Sequence, residues 1–280
     1  LAVRGSLFAG QEEKDRRVRR QYWGLIADLI AERYFGQIQE WCRGQRVASS
    51  GHCLCEETPI RHVGLYGNEL KALGRLDIPG LDVLSSEPSE VLGSMWLTAS
   101  LPASAALFNG GRKVMTEVSD FSQRMGSNQT ASLEKMQATA AWQAAFGVTE
   151  FTSYYLTSAM DQIVYMIDIG STIPFDKDKY QSYCRYVGRL NTVLREARPD
   201  PKVLLYYPIY DLWAEYLPVA EPLGSASQSP RAQHLEHSFM QLGQQLVRSQ
   251  VPFVLTDYEI LAKAQVREGR LLIGGHGFAA

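Results

Sequence analysis

Three glutamates that follow β-prone runs are the residues with the clearest potential for chemistry. Within the stretch 113–121, Glu117 lies near the end of a short apolar run around Val114, Met115 and Val118, and Glu56 and Glu57 come after an apolar run that begins at Val47. A buried carboxylate is costly unless it has partners or a task. Two carboxyl groups, one protonated and one ionised, are what general acid–base chemistry requires. The pattern predicts a carboxylate pair, and a structural salt bridge is the alternative for Glu117.

Four further side chains fall near predicted strand ends and are candidates for substrate binding. They are His52, Asp82, Tyr154 and Tyr155. Each also has a purely structural interpretation: a satisfied, partly buried histidine, an N-cap of the next helix, and a tyrosine packed inside the protein. The sequence alone does not decide between the substrate-binding and the structural interpretation.

The first predicted element is a long amphipathic helix over residues 14–43. Apolar residues recur there at helical spacing and form one broad stripe, which we expect to face the core. Gly44 closes the helix, and Gly36 marks a candidate break. The stripe consists of Val18, Tyr22, Leu25, Ile26, Leu29, Ile30, Tyr34, Ile38 and Trp41.

Strands and helices then alternate four times, which predicts parallel βα units. Parallel units close into a barrel or form an open sheet, and both place working residues at the carboxyl ends of the strands. No glycine-rich phosphate loop follows any of these strands, so we favour a barrel. The predicted strands cover residues 47–54, 81–84, 113–121 and 148–155.

A linker at residues 198–201 divides the chain into two predicted domains, 1–197 and 202–280. The second contains a buried strand at 202–208, a helix at 233–248, a strand at 251–257 and a last strand at 271–273, as at the start of a flavodoxin-like unit. The predicted fold class is α/β: a partial (β/α)8 TIM barrel with only its later strands, followed by an incomplete flavodoxin-like domain.

Composition narrows the range of partners. A net charge of −2 and a pI near 6.3 leave no electrostatic footprint for nucleic acid. No apolar stretch approaches the roughly 20 residues that span a bilayer, so no membrane contact is expected. The four cysteines are interpreted as buried free thiols. Nothing in the sequence calls for a cofactor or a metal, and the compartment stays open.

Four segments together resemble the second half of a clan-A glycoside hydrolase barrel. Their order, with a glutamate strand, a helix, an aromatic-rich strand and then a flavodoxin-like unit, is similar to β-galactosidases whose barrel precedes an amidotransferase-like domain. Barrels grouped with α-L-rhamnosidases are similar as well. The segments are Gly51-His52 through Glu56-Glu57, Asp77 through Leu84, Val114-Met115-Thr116-Glu117, and Gly147 through Tyr155.

The resemblance implies a glycosidase that acts on a carbohydrate substrate, with Glu117 as nucleophile and Glu56 or Glu57 as acid/base. We expect retention of configuration, and an inverting rhamnosidase-like hydrolase is the alternative. The resemblance also allows a homo-oligomer that forms through the second domain. A chain without the first barrel strands need not be active by itself.

Two other function classes compete with this one. The first is a non-catalytic carbohydrate-binding or assembly protein on the same fold. The second is a metal-dependent hydrolase that uses His52, with His62 as the only nearby second histidine.

Overall fold

The computed structural model describes residues 2–83, 86–118, 131–153, 177–194, 196–197, 199–218 and 225–279. These residues form a mixed α/β structure. It contains a parallel four-stranded sheet, a parallel two-stranded sheet and an antiparallel three-stranded sheet. The predicted alternation of strands and helices is therefore confirmed, and so is the parallel pairing of the predicted strands.

The amino-terminal part is helical. Its elements are α1 (Ala2–Phe8), α2 (Glu13–Leu29), a π-helical segment (Ile30–Phe35) and α3 (Gly36–Gly44). The last three form one continuous helix, as predicted, and the π-helical segment directly precedes Gly36.

The buried face of this long helix is not the predicted one. Trp23, Ala27, Ala31 and Phe35 are buried at a constant spacing of four residues. Most of the large residues of the predicted stripe are instead exposed. The prediction was wrong because the helix has two apolar faces, and the smaller side chains of the inner face allow close helix packing.

Four parallel strands follow one another in space as they do in the chain. They are β1 (Ser50–Gly51), β2 (Ile78–Val83), β3 (Met115–Val118) and β4 (Glu150–Ser153). In this register Asp82 lies opposite Glu117, and Glu117 lies opposite Thr152. The sheet thus brings residues that are far apart in the sequence to one edge.

The first strand is shorter than residues 47–54, because the chain turns directly after it. Cys55 adopts a left-handed backbone conformation, with φ of 61°. Cys53 and Cys55 therefore lie after the end of the strand. All four cysteines are free thiols, and Cys53 is buried whereas Cys184 is exposed.

Helices pack on one face of the four-stranded sheet. Leu81 and Val83 pack with Ala99, which belongs to the helix that follows β2. Val118 packs with Met136, which belongs to the helix that follows β3. Asp82 and Glu117 alternate with these buried residues and face away from those helices. The helices between the strands and after them are α4 (Pro59–Tyr66), α5 (Glu69–Leu73), α6 (Pro88–Phe108, with a π-helical turn at Val91–Met95), α7 (Leu133–Ala145) and α8 (Lys177–Leu194).

Helix α6 is long and apolar enough to cross a membrane by length and composition alone, with 21 residues. This corrects the expectation that no apolar stretch approaches that length. Much of the helix is buried, and Trp96 packs against Phe239 and Phe253. It has the properties of a core helix, so it carries no conclusion about a membrane.

The remaining part of the chain contributes the other two sheets. Strands β5 and β6 pair in parallel, as predicted, while β7, β8 and β9 form an antiparallel meander of which only one strand was predicted. The elements are β5 (Val203–Tyr206), α9 (Ile209–Glu215), a 3-10 turn (Ser225–Ser227), α10 (Pro230–Arg248), β6 (Phe253–Thr256), α11 (Tyr258–Ala262), β7 (Gln265–Arg267), β8 (Arg270–Ile273) and β9 (His276–Ala279).

The two predicted domains share one hydrophobic core, in which α9 packs on α2. Trp213 donates its indole N–H to the carbonyl of Gly67 at 2.6 Å. Gly67 has a φ of 71°, and a Cβ there would lie 2.7 Å from the Cα of Ala27. Only glycine permits this approach of α2 to the end of α4. The boundary at residues 198–201 itself stays a prediction.

Candidate functional site

His52 lies directly after β1 and connects two parts of the site. Its Nδ1 is 2.6 Å from the Cys53 carbonyl, and its Nε2 is 3.0 Å from Oε2 of Glu117. A carbonyl only accepts, so Nδ1 carries a proton and donates it to Cys53. The other ring nitrogen, Nε2, is hydrogen-bonded to the Glu117 carboxyl.

Glu56 approaches the same imidazole from its other side, with Oε1 3.8 Å from Nδ1. It lies in the turn after β1, and its two oxygens accept the backbone N–H groups of Cys53 at 3.1 Å and Asp82 at 3.2 Å. Glu56 is only 3% exposed. Burial, with a smaller contribution from nearby Glu69, raises the pKa of the Glu56 carboxyl well above its ordinary value. The protonated form of Glu56 is thereby favoured.

Glu117 is in a different environment, because its side chain is 34% exposed. It lies next to the last residue of β3 and opposite Asp82 of β2. One glutamate is thus buried and the other reaches solvent, although both lie around His52.

The structure separates the two adjacent glutamates at 56 and 57. Glu57 lines a cleft between the start of α4 and helix α10, together with His234 and His237. Of these two glutamates, Glu56 lies beside His52 and Glu57 does not.

Asp82 is not a helix cap. It lies inside β2, its N–H donates to Glu56, and Glu87 occupies the N-cap position of the next helix. Tyr154 and Tyr155, predicted to bind substrate, lie outside the described residues.

No protein-family model matches this chain, and no curated protein matches it.

The geometry does not support the metal-dependent alternative in the described part of the chain. No group of three or more histidine, cysteine, aspartate or glutamate residues is placed there to hold a metal ion. His62 is fully buried, and its Nδ1 is 2.7 Å from the hydroxyl of Tyr207. It does not join His52 at the strand ends.

Sequence reasoning missed a buried cluster behind Glu56. The Nε2 of His62 lies 3.1 Å from the Cys55 carbonyl and 3.1 Å from Oε2 of Glu69. The N–H points to the carbonyl, and neither carboxyl oxygen of Glu69 has a hydrogen bond among the described residues. A signal was present for Tyr207, because it lies in the predicted buried strand 202–208.

Burial dominates the electrostatics of this cluster. It lowers the pKa of His62 to about 3 and raises the pKa of Glu69 well above its ordinary value. Burial therefore favours the uncharged form of both side chains. By holding the Cys55 carbonyl, His62 supports the left-handed turn that precedes Glu56.

Proposed function

We propose that this chain is part of a glycoside hydrolase in which Glu56 and Glu117 form the carboxyl pair. One observation carries the proposal. Two glutamates from separate parts of the chain lie on either side of His52: Glu117 is hydrogen-bonded to Nε2, and Glu56 lies 3.8 Å from Nδ1, with only Glu117 partly exposed to solvent.

The chemistry of glycoside cleavage needs this difference between the two groups. One carboxyl must hold a proton for the leaving oxygen, and the other must be ionised, as a nucleophile or as a base for water. Burial favours the protonated form of Glu56. Glu117 is the exposed carboxyl that can reach a sugar, and His52 can supply a positive charge beside it.

The architecture is compatible with this function. Sequential parallel strands, with the helices after β2 and β3 on one face, are typical of a (β/α)8 barrel, in which catalytic groups lie at the carboxyl ends of the strands. We therefore propose that β1 to β4 belong to such a barrel, and that β5 and β6 begin a flavodoxin-like unit. These assignments follow the resemblance to clan-A enzymes.

Hydrolysis of a panel of aryl glycosides, including β-galactosides and α-L-rhamnosides, tests the proposal. We expect Glu117→Gln and Glu56→Gln to reduce kcat/KM about 100-fold to 10,000-fold, the usual contribution of a general acid or base. Glu57→Gln is the matched control and should keep its activity, because Glu57 lies outside the His52 group. Equal losses in all three variants would contradict the assignment.

The anomeric configuration of the first product, followed by NMR, distinguishes a retaining from an inverting mechanism. We expect retention, and an exogenous anion such as azide should then partly restore turnover in a Glu117→Ala variant by replacing the missing nucleophile. Inversion, without such rescue, would assign Glu117 as the base for water.

A non-catalytic carbohydrate-binding protein is the second candidate. It is favoured by the near-complete burial of Glu56 and by the backbone N–H groups that both of its oxygens accept, since these features also suit a structural carboxyl. Sugar binding measured by NMR without any hydrolysis, and unaffected by Glu117→Gln, would support this candidate over the enzyme.

A further inference from the structure

The outer face of the long amino-terminal helix carries an unusually ordered set of exposed apolar side chains. Six large residues between positions 22 and 41 are each 40% to 66% exposed. We call them the outer stripe. They are Tyr22, Leu25, Leu29, Tyr34, Ile38 and Trp41.

The π-helical segment keeps the two halves of the outer stripe in line. Successive stripe residues are three or four positions apart within the α-helical parts, as residues on one helix face must be. Between Leu29 and Tyr34 the step is five, and this step falls in the segment Ile30–Phe35, where the hydrogen bonds run from i to i+5. The stripe therefore continues on one side of the helix over about 30 Å.

The order of the spacings is the same in both directions: three, four, five, four, three. When a second copy of the helix lies antiparallel on the first, every stripe residue faces another stripe residue. Leu29 faces Tyr34, Leu25 faces Ile38, and Tyr22 faces Trp41. A two-fold symmetric contact needs a self-complementary surface of this kind.

The flanking charges agree with an antiparallel arrangement. Asp28 and Arg33 are both exposed, and each directly precedes a stripe residue, so they lie on the same flank. Antiparallel pairing brings Arg33 near the acidic side chain at position 28 of the other copy, because one flank of a helix then faces the same flank of its partner. Asp28 also binds Lys71 within its own chain, and no ion pair is formed by Arg33 among the described residues.

We propose that the outer stripe is the contact surface for a second copy of this chain, in an antiparallel helix pair centred between positions 31 and 32. A single pair of helices over this length lies at the small end of specific interfaces, below roughly 1,200 Å² in total. We therefore expect a dimer that dissociates on dilution, with a Kd in the micromolar range.

Sedimentation equilibrium of the full chain tests the proposal. The mass should rise from 31.3 kDa to twice that value as the concentration increases to about 100 µM. Leu25→Lys and Ile38→Glu should each leave a monomer. Leu242→Glu is the matched control, because Leu242 is 53% exposed on α10, outside the stripe, and it should dimerise like the parent protein.

Mixing the two stripe variants tests the register. In a mixed antiparallel dimer the introduced lysine faces the introduced glutamate, and the second contact keeps its natural Leu25 and Ile38. An equimolar mixture of Leu25→Lys and Ile38→Glu should therefore dimerise although neither variant does so alone. Circular dichroism of each variant checks that it is folded.

Three results would overturn the proposal: a parent chain that stays monomeric at about 100 µM, a dimer that neither stripe variant weakens, or a mixture that remains monomeric. A monomeric parent chain would leave the outer stripe to a partner of another kind.

Discussion

Two histidine–glutamate pairs in this protein have nearly the same contact distance and very different surroundings. In the outer pair, His52 and Glu117 are 3.0 Å apart at the edge of the sheet, and both side chains are partly exposed. In the inner pair, His62 and Glu69 are 3.1 Å apart, and both are fully buried. Residue type and distance do not distinguish them.

The surroundings determine what each pair can do. Burial lowers the pKa of His62 to about 3 and raises that of Glu69, so the uncharged forms of the inner pair are favoured. The outer pair is hydrogen-bonded and partly exposed at the edge of the sheet. The comparison supports the proposal that the outer pair takes part in chemistry, whereas the inner pair supports the turn before Glu56.

The largest expected difference between the pairs is in stability. His62→Ala removes the partner of the Tyr207 hydroxyl and of the Cys55 carbonyl and leaves a cavity, so the free energy of unfolding should fall by about 3 kcal/mol or more. His52→Ala, at the partly exposed site, should cost less than about 1 kcal/mol. Urea unfolding of both variants measures their free energies of unfolding. Equal losses in the two variants would contradict the distinction between the inner and the outer pair.

The pH dependence of stability should come from the inner pair. The raised pKa of Glu69 means that the folded protein keeps a proton which the unfolded chain releases above about pH 4.5. Its contribution to stability is therefore present at low pH and is lost as the pH rises through the folded pKa. His62 acts in the opposite sense, since its stabilising contribution is present above about pH 6.5 and is lost as the pH falls toward about 3.

Glu69→Gln should accordingly reduce the loss of unfolding free energy as the pH rises above about 4.5, by up to about 1.4 kcal/mol per pH unit in the range where Glu69 titrates. Glu56 contributes in the same direction, so part of the slope should remain. Urea titrations at several pH values give the slope. A slope unchanged from the parent protein would show that Glu69 is ionised when folded.

The smallest effect concerns the link between the inner pair and the strand β5. Tyr207→Phe removes the hydroxyl that contacts Nδ1 of His62, and we expect a loss of about 1 kcal/mol. The neighbouring Tyr206 bonds Asp211 at the exposed surface, so Tyr206→Phe should stay within about 0.5 kcal/mol of the parent protein. A larger loss at Tyr206 would contradict this description of the cluster.

Much of the secondary structure could be predicted from the sequence. The long helix, the strand that carries Glu117 and the parallel strand pair near the carboxyl terminus all have periodicities that local chemistry sets. The strand before Glu56 was predicted too long, because a left-handed turn at Cys55 is not encoded by a glycine there. The meander of β7 to β9 was mostly missed, since its short strands have little periodicity.

The sequence predicted which residue types form the candidate site, but it predicted their arrangement only in part. Glu117, His52 and a glutamate near position 56 were identified because each follows or ends a predicted strand. The choice of Glu56 over Glu57 depends on which way a turn points, and neighbouring residues in one turn have similar sequence signals.

By itself, the sequence determined the elements and their parallel alternation, because hydrophobic spacing of 3.6 or 2 residues is a local property. Only the tertiary structure decided which apolar face of the long helix is buried, which histidine–glutamate pair is sealed from water, and which glutamate meets His52. Packing between distant parts of the chain decides these three features, as where α9 packs on α2 and the hydroxyl of Tyr207 contacts His62. Residue spacing along one segment carries no information about such packing.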